Sequence, residues 1–307
     1  MLKTLHDHRH CDWRPDRAAA LTMAPGERVA LTTLDASHGH FAPDSDAERV
    51  RSLDPSRVNP VTGPIAVDGA APGDALIVTI EELSTASWGW TANIPGFGLL
   101  SEDFPEPAFR AWSLDRARGI ATLDGGRAWA PARPFMGTLG LSPGAPGVHG
   151  IIPPWRTGGN LDCRDLVAGS RIILPVETSG GLLSAGDGHI AQGDGEVCGT
   201  AIETGTQLML SVDMKPGAAP RAPMIEAPAR AMPEPEARLT TTGVGPDFLT
   251  AARDAVREMI DQLSARRGVS CEDAYLLCSV CGEMRAAQLV DAPNWTAAFS
   301  FPLSRLD

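Results

Sequence analysis

Glycine or proline interrupts the chain every few residues from its start to about Pro216, and only short apolar runs stand between. There are 32 glycines and 26 prolines in 307 residues. Proline removes a backbone donor and glycine costs backbone entropy, so this stretch is hostile to long helices. GERVALTTLDA, ALIVTIEEL, SRIILPVETS and TQLMLSVDM are the clearest strands, each bounded by turn residues. Many short strands between such turns predict a sandwich or barrel. PGERVALTTL (25–34) recurs loosely as PGDALIVTIEEL (72–83) and AGSRIILPVE (168–177), a likeness that common β-turn chemistry accounts for.

The pattern changes near Lys215. KPGAAPRAPMIEAPARAMPEPE (215–236) has the Ala/Pro composition of a linker or an extended crossing strand, and MIEAPARA also reads as a strand interrupted by proline. In PDFLTAARDAVREMIDQLSARRG, Phe248, Leu249, Ala252, Val256, Met259, Ile260 and Leu263 fall at helical intervals. Pro246 suits the first turn and Gly268 the stop. SCEDAYLLCSVCGEMRAAQLVD (270–291) reads as a second helix, with Ser270 and Asp273 as a weak cap, and NWTAAFSFPL as a closing strand. The expected organisation is a β body over 1–215, followed over 216–307 by a linker and a small C-terminal α/β subdomain packed on it.

The net charge of −12 argues against non-specific binding to nucleic acid or to an anionic membrane. The first residues lack the apolar core of a secretory signal, and no apolar run approaches ~20 residues, which predicts a cytoplasmic protein. The six cysteines, at 11, 163, 198, 271, 278 and 281, are then expected to be reduced. Cys278 and Cys281 form a Cys-x-x-Cys, but inside the predicted apolar helix, where core packing is the simpler role.

GDGHIAQGDGEVCGTAIE (186–203) gathers Asp187, His189, Asp194 and Glu196 among glycines. Upstream, RTGGNLDCRDL adds Asn160, Asp162 and Asp165. Carboxylates with one imidazole are the donors a divalent cation needs, and glycines let such side chains converge. The competing reading is that Gly-Asp-Gly is good turn chemistry. Two triplets do not make the tandem nonapeptides of a calcium-binding β-roll. His6, His8, His10 and Cys11 read as an exposed N-terminal region, and His38 and His40, after a predicted strand, as loop residues, with a place at the pocket mouth the less favoured alternative. Trp88, Trp90, Pro95 and Phe97 wall either a small apolar pocket or a subunit contact. Cys198 abuts the acidic block without an evident histidine partner.

Pro134 to Thr204, from PFMGTLGLSPGAPGVHG through GGNLDCRDL to GDGHIAQGDGEVCGTAIET, closely resembles the acetamidase/formamidase family. SWGWTANIPGFGLLSEDFPEP (87–107), GPIAVDGAAPGDALIVTIEEL (63–83) and AYLLCSVCGEMRAAQLVD (274–291) extend the likeness over most of the chain. The resemblance implies a mainly β fold, with jelly-roll-like and barrel-like parts and a small C-terminal α/β element. It implies hydrolysis of short aliphatic amides to a carboxylate and ammonia, a bound metal and a homodimer. Zinc is the first choice for the metal, with manganese or calcium open.

Carried over by motif, Asp162, His189 and Glu196 are the expected metal ligands. Asp187 and then Glu203 are the expected acid–base groups, with the roles of Asp187 and Glu196 exchangeable at this stage. Asn160, His149, Gln192 and Trp90 are expected to touch substrate. Two rival readings stay open: the same fold acting on a larger, cyclic or aromatic amide, and a non-catalytic β protein that binds a small molecule or metal.

Overall fold

All four strands picked out by sequence are neighbours in one sheet. The computed structural model describes residues 2–98, 101–102, 105–123, 128–196, 198–229, 237–268, 271, 274 and 282–302. In it Arg28–Thr33, Thr206–Lys215, Ala75–Thr85 and Arg171–Pro175 lie side by side in that order, within a nine-stranded sheet. Arg28–Thr33 buries every second residue, as a half-covered strand must. A second, eleven-stranded sheet carries Phe135–Gly140, Leu183–His189 and Val61–Val67. Leu31, Val78, Ile172 and Leu210 from the first sheet join Ile65, Met136, Leu139 and Ala185 from the second in one apolar core. Two sheets facing across a shared core answer the mainly β expectation. Among the described residues neither sheet closes on itself.

The C-terminal elements continue the nine-stranded sheet. Met224–Ala227 pairs with Arg171–Pro175, and Arg238–Gly245, Trp295–Pro302 and Glu283–Gln288 follow outward. The helix Phe248–Arg267 is capped by the Asp247 carboxylate, which accepts from the Thr250 amide at 2.8 Å, and it stops at left-handed Gly268. Pro246 therefore precedes the cap instead of opening the first turn. Met259 and Leu263 pack on Leu239, Phe299 and Phe301. The second expected helix is borne out at Cys271 and Ala274, which are helical, and corrected farther on: Glu283–Gln288 is a strand, because antiparallel pairing with Trp295–Pro302 overrides its local pattern. Cys278 and Cys281 lie outside the described residues. No helix among the described residues is long and apolar enough to cross a membrane.

The N-terminal segment is only in part the exposed region its polarity suggested: His6 and His8 are exposed, but the chain around them is built into the fold. Lys3–Leu5 adds a parallel edge strand beside Arg28–Thr33, while His10 and Trp13 are buried. The His10 ring lies between the Asp12 carbonyl, at 2.6 Å, and the Ser184 hydroxyl, at 3.0 Å. Burial, helped by the nearby charge of Arg17, lowers its pKa to about 4. The native ring thus stays neutral while the unfolded one takes a proton below about pH 6.5. Stability is fully present above that pH and falls as pH drops toward about 4, by about 3 kcal/mol for this group. Thermal unfolding between pH 7.5 and 4.5 should show a shallower acid decline for His10→Gln than for the parent. Equal slopes would remove His10 from the account.

Candidate active site

The strand Leu183–His189 is buried along its whole length. A Cβ on Gly186 would fall 2.4 Å from the Pro60 carbonyl oxygen, and one on Gly188 would fall 2.0 Å from a methyl of Thr206. The first Gly-Asp-Gly is therefore no turn: its glycines admit neighbouring chain segments to within contact. The second, Gly193 to Gly195, does lie in a loop. There Asp194 is ion-paired with Arg164, apart from the cluster described next. The same spelling serves two different purposes.

Asp187 and His189 come from this strand. Cross-strand register sets Glu203 directly opposite His189 and Asn160 opposite Thr138. Asp162 follows the strand Gly158–Asn160, and Glu196 enters from the loop after the second triplet. One donor atom each from Asp162, His189 and Glu196 lies within 4.8 Å of the others, and the same holds for Asp187, His189 and Glu203. His189 belongs to both sets. Its Nε2 is 3.1 Å from Glu203 and 3.3 Å from Asp187.

Several of these buried atoms lack a hydrogen bond: both carboxylate oxygens of Asp162 and Nδ1 of His189 have none, and Nε2 of His189 meets Asp187 and Oε2 of Glu203 as ion pairs alone. Buried polar atoms are seldom left unpaired, so such a concentration needs a reason. Electrostatics point the same way. Burial, aided by the Asp187 charge, lifts Asp162 to about 7, and burial lifts Glu203 to about 7. Glu196 and Asp291 are pushed well above the usual carboxylate range by burial and by the charge of Asp162. Burial also works against the charged form of Asp187, but the imidazolium of His189 outweighs it and holds that carboxyl below its ordinary value. Burial opposes protonation of His189, yet Glu203 and Asp187 raise it well above an ordinary histidine. One imidazole is thus the counter-charge for several crowded carboxylates. A divalent cation fits this donor set: it supplies the missing charge and the missing partners together.

The backbone is bent to the same end. Asn59, Asp162, Asp187 and Glu196 all have positive φ, between 46° and 55°. Only His38 and Leu182 share that conformation among the other described non-glycine residues. Such geometry disfavours L side chains and gathers at functional sites.

A cavity of about 650 Å³ opens onto the cluster, with Asn160, Asp187, Glu196, Glu203 and Asp291 among its lining. Trp90, Pro95 and Phe97 line it as well. The Trp90 indole donates to Asp35 at 3.0 Å, so its ring faces the cavity and its polar edge is satisfied. Asn160 lines the cavity with both ends of its amide committed: it donates to Asp291 at 2.7 Å and accepts from Asn59 and Thr138. Gln192 lines a neighbouring cavity of about 660 Å³ instead, and donates to the Asp162 carbonyl at 3.2 Å. His149 lines neither; its ring is held by the Ala145 carbonyl at 2.8 Å and lies edge-on to Trp155. His38 and His40 are likewise absent from both linings, bound to the carbonyls of Arg57 and Arg49. Cys198 lines the second cavity and bonds to the Thr200 carbonyl. The Cys163 thiol is pushed up to about 11 by burial, which leaves it an inert neighbour of Asp162.

Sequence reasoning missed Asp291, Asn59, Thr138 and Gly137. Asp291 ends the stretch read as a helix, where nothing marks it as part of the site. A Cβ on Gly137 would lie 2.5 to 2.7 Å from Asp187, Asp162 and His189, so this glycine makes the space in which the donors meet.

Residues 2–149 and 145–307 match the profile of the acetamidase/formamidase family. An acetamidase from Mycolicibacterium smegmatis is 28% identical over 94% of this chain and 88% of that protein. Among solved structures, a predicted acetamidase/formamidase from Thermoanaerobacter tengcongensis superposes with a TM-score of 0.89 at 27% identity, over 100% of this chain and 97% of the other. An acetamidase from Yersinia enterocolitica gives 0.88 at 31% identity, over 100% and 93%.

Proposed function

The chain belongs to the acetamidase/formamidase family of amide hydrolases, and from that premise we propose that its buried acidic cluster binds a divalent cation and converts a carboxamide and water to a carboxylate and ammonia. The observation that carries this reading is the convergence of Asp162, His189 and Glu196 within 4.8 Å, with the oxygens of Asp162 and Nδ1 of His189 left without a hydrogen bond. Asp162, His189 and Glu196 would hold the ion, with zinc the first choice. When bound, a divalent cation supplies Lewis acidity, polarising a carbonyl oxygen and making water easier to deprotonate.

The remaining work falls to the chain itself. Glu203 is anchored through Oε1, which accepts from the Ala201 amide at 2.7 Å, and its Oε2 stands 3.1 Å from Nε2 of His189. A carboxylate held this way can take a proton from water and return it to the departing nitrogen, which leaves poorly as an anion. Asp187, on the same side of His189, is the second group able to carry that proton. The Asn59–Asn160–Asp291 chain of hydrogen bonds holds the adjoining cavity wall in place.

Metal analysis of the purified protein, paired with ammonia release from formamide and acetamide before and after chelation, tests the proposal. Near-stoichiometric metal is expected, with turnover lost on chelation and recovered on adding the ion back. Undiminished turnover by metal-free protein would overturn it.

A further inference from the structure

The cavity is far larger than the smallest amides require. Acetamide has four non-hydrogen atoms; with a water molecule taking about 30 Å³ of liquid, it occupies on the order of 100 Å³. The cavity in front of the carboxylates measures about 650 Å³, within the range of about 300–1,000 Å³ that holds much larger ligands.

Its lining is divided by chemistry. Asn160, Asp187, Glu196, Glu203 and Asp291 supply polar groups, while Val50, Leu53, Val58, Trp90, Ile94 and Phe97 are apolar. The apolar part is no loose surface. Val50 and Trp90 belong to a packed cluster with Phe41, Ala92 and Phe109, against which Leu53 and Ile94 also rest. Phe41 meets the Trp90 ring edge-on at 4.7 Å. Phe97 is pressed so closely on Gly199 that a Cβ there would fall 2.4 Å from its ring. Among the described lining residues Arg51 is the one cation, and it is ion-paired with Glu106. The buried acids repel a negatively charged substrate, and no cation among the described lining residues is set aside to receive a second carboxylate.

We infer that this site takes a neutral carboxamide whose acyl carbon bears an apolar group of about ring size, seated against Trp90, Ile94 and Phe97. The inference rests on the amide-hydrolase reading above and names its substrate class. Burying such a group against a preformed apolar wall adds binding energy that formamide and acetamide cannot collect, and each added methylene is worth about tenfold or more in discrimination.

The test is kcat/KM for ammonia release by the metal-loaded enzyme along the series formamide, acetamide, propionamide, butyramide and phenylacetamide. The value should climb along the series, with phenylacetamide at least tenfold above acetamide. Ile94→Trp, which fills the apolar end, should lower the phenylacetamide value at least tenfold more than the acetamide value. Highest efficiency on formamide or acetamide, falling with each methylene, overturns the inference and leaves amide hydrolysis standing. No ammonia from any member of the series removes both readings.

Discussion

Replacing His189 with alanine should abolish ammonia release, lowering kcat/KM on the order of a thousandfold or more, and should empty the metal site. The reason is topological as well as chemical. Asp162 and Glu196 form one possible ligand set with this imidazole, and Asp187 and Glu203 form another. No reassignment of ligand and base among the four acids therefore rescues the variant. The loss also strips several buried carboxylates of their one nearby imidazole, so the metal-free variant should unfold more easily than metal-free parent. Metal content, steady-state kinetics and thermal unfolding measured side by side would check all three effects. Asp194→Asn is the natural contrast: this acid has the same Gly-Asp-Gly setting but is paired with Arg164 in a loop, and its loss should cost no more than about threefold. Retention of metal and activity by the His189 variant would refute the assignment of the centre.

Gly137→Ala should be nearly as damaging to activity, while leaving the fold almost untouched. The added methyl would meet Oδ2 of Asp187 at 2.5 Å, Oδ1 of Asp162 at 2.7 Å and Cε1 of His189 at 2.7 Å. All three obstacles are ends of side chains, which can swing aside at small cost to folding. The backbone of Gly137 lies in the middle of the strand Phe135–Gly140 and needs no left-handed conformation, so alanine is acceptable there in every other respect. Yet the displaced atoms are the donors themselves, and misplacing reacting groups by about 1 Å can cost on the order of a hundredfold. Loss of at least a hundredfold in kcat/KM, weakened metal binding and a melting temperature within a few degrees of the parent are expected. Full activity would show that the donors do not meet where Gly137 makes room.

Much of the architecture was legible in the sequence because local chemistry agrees with global structure. The four strands with turn residues at both ends occur as read, and the helix over 248–267 follows from its apolar spacing and from Gly268. Glu283–Gln288 misled because a strand at the rim of a sheet takes its identity from the partner it pairs with, and that partner comes later in the chain. The candidate site divides along the same line. Asp162, Asp187, His189 and Glu196 lie in glycine-rich stretches that mark them by composition, and the family resemblance added Glu203. Asp291, Asn59 and Thr138 come from elsewhere and carry no local mark, since a single aspartate after a valine looks like any other. The first Gly-Asp-Gly was legible as unusual but not as a strand: the glycines answer to Pro60 and Thr206, which only the folded chain brings near.

The hydrogen-bonded chain behind the cavity bears on how the protein is made. Asn59 reaches Asn160 across 101 positions, and Asn160 reaches Asp291 across another 131. During translation the acids near the middle of the polypeptide emerge long before the aspartate that completes their enclosure. Contacts so distant in sequence form late and all together, after the chain entropy between them has been spent. A chain stopped ahead of Asp291 would carry the five clustered residues yet lack the acid to which Asn160 donates in the cavity wall.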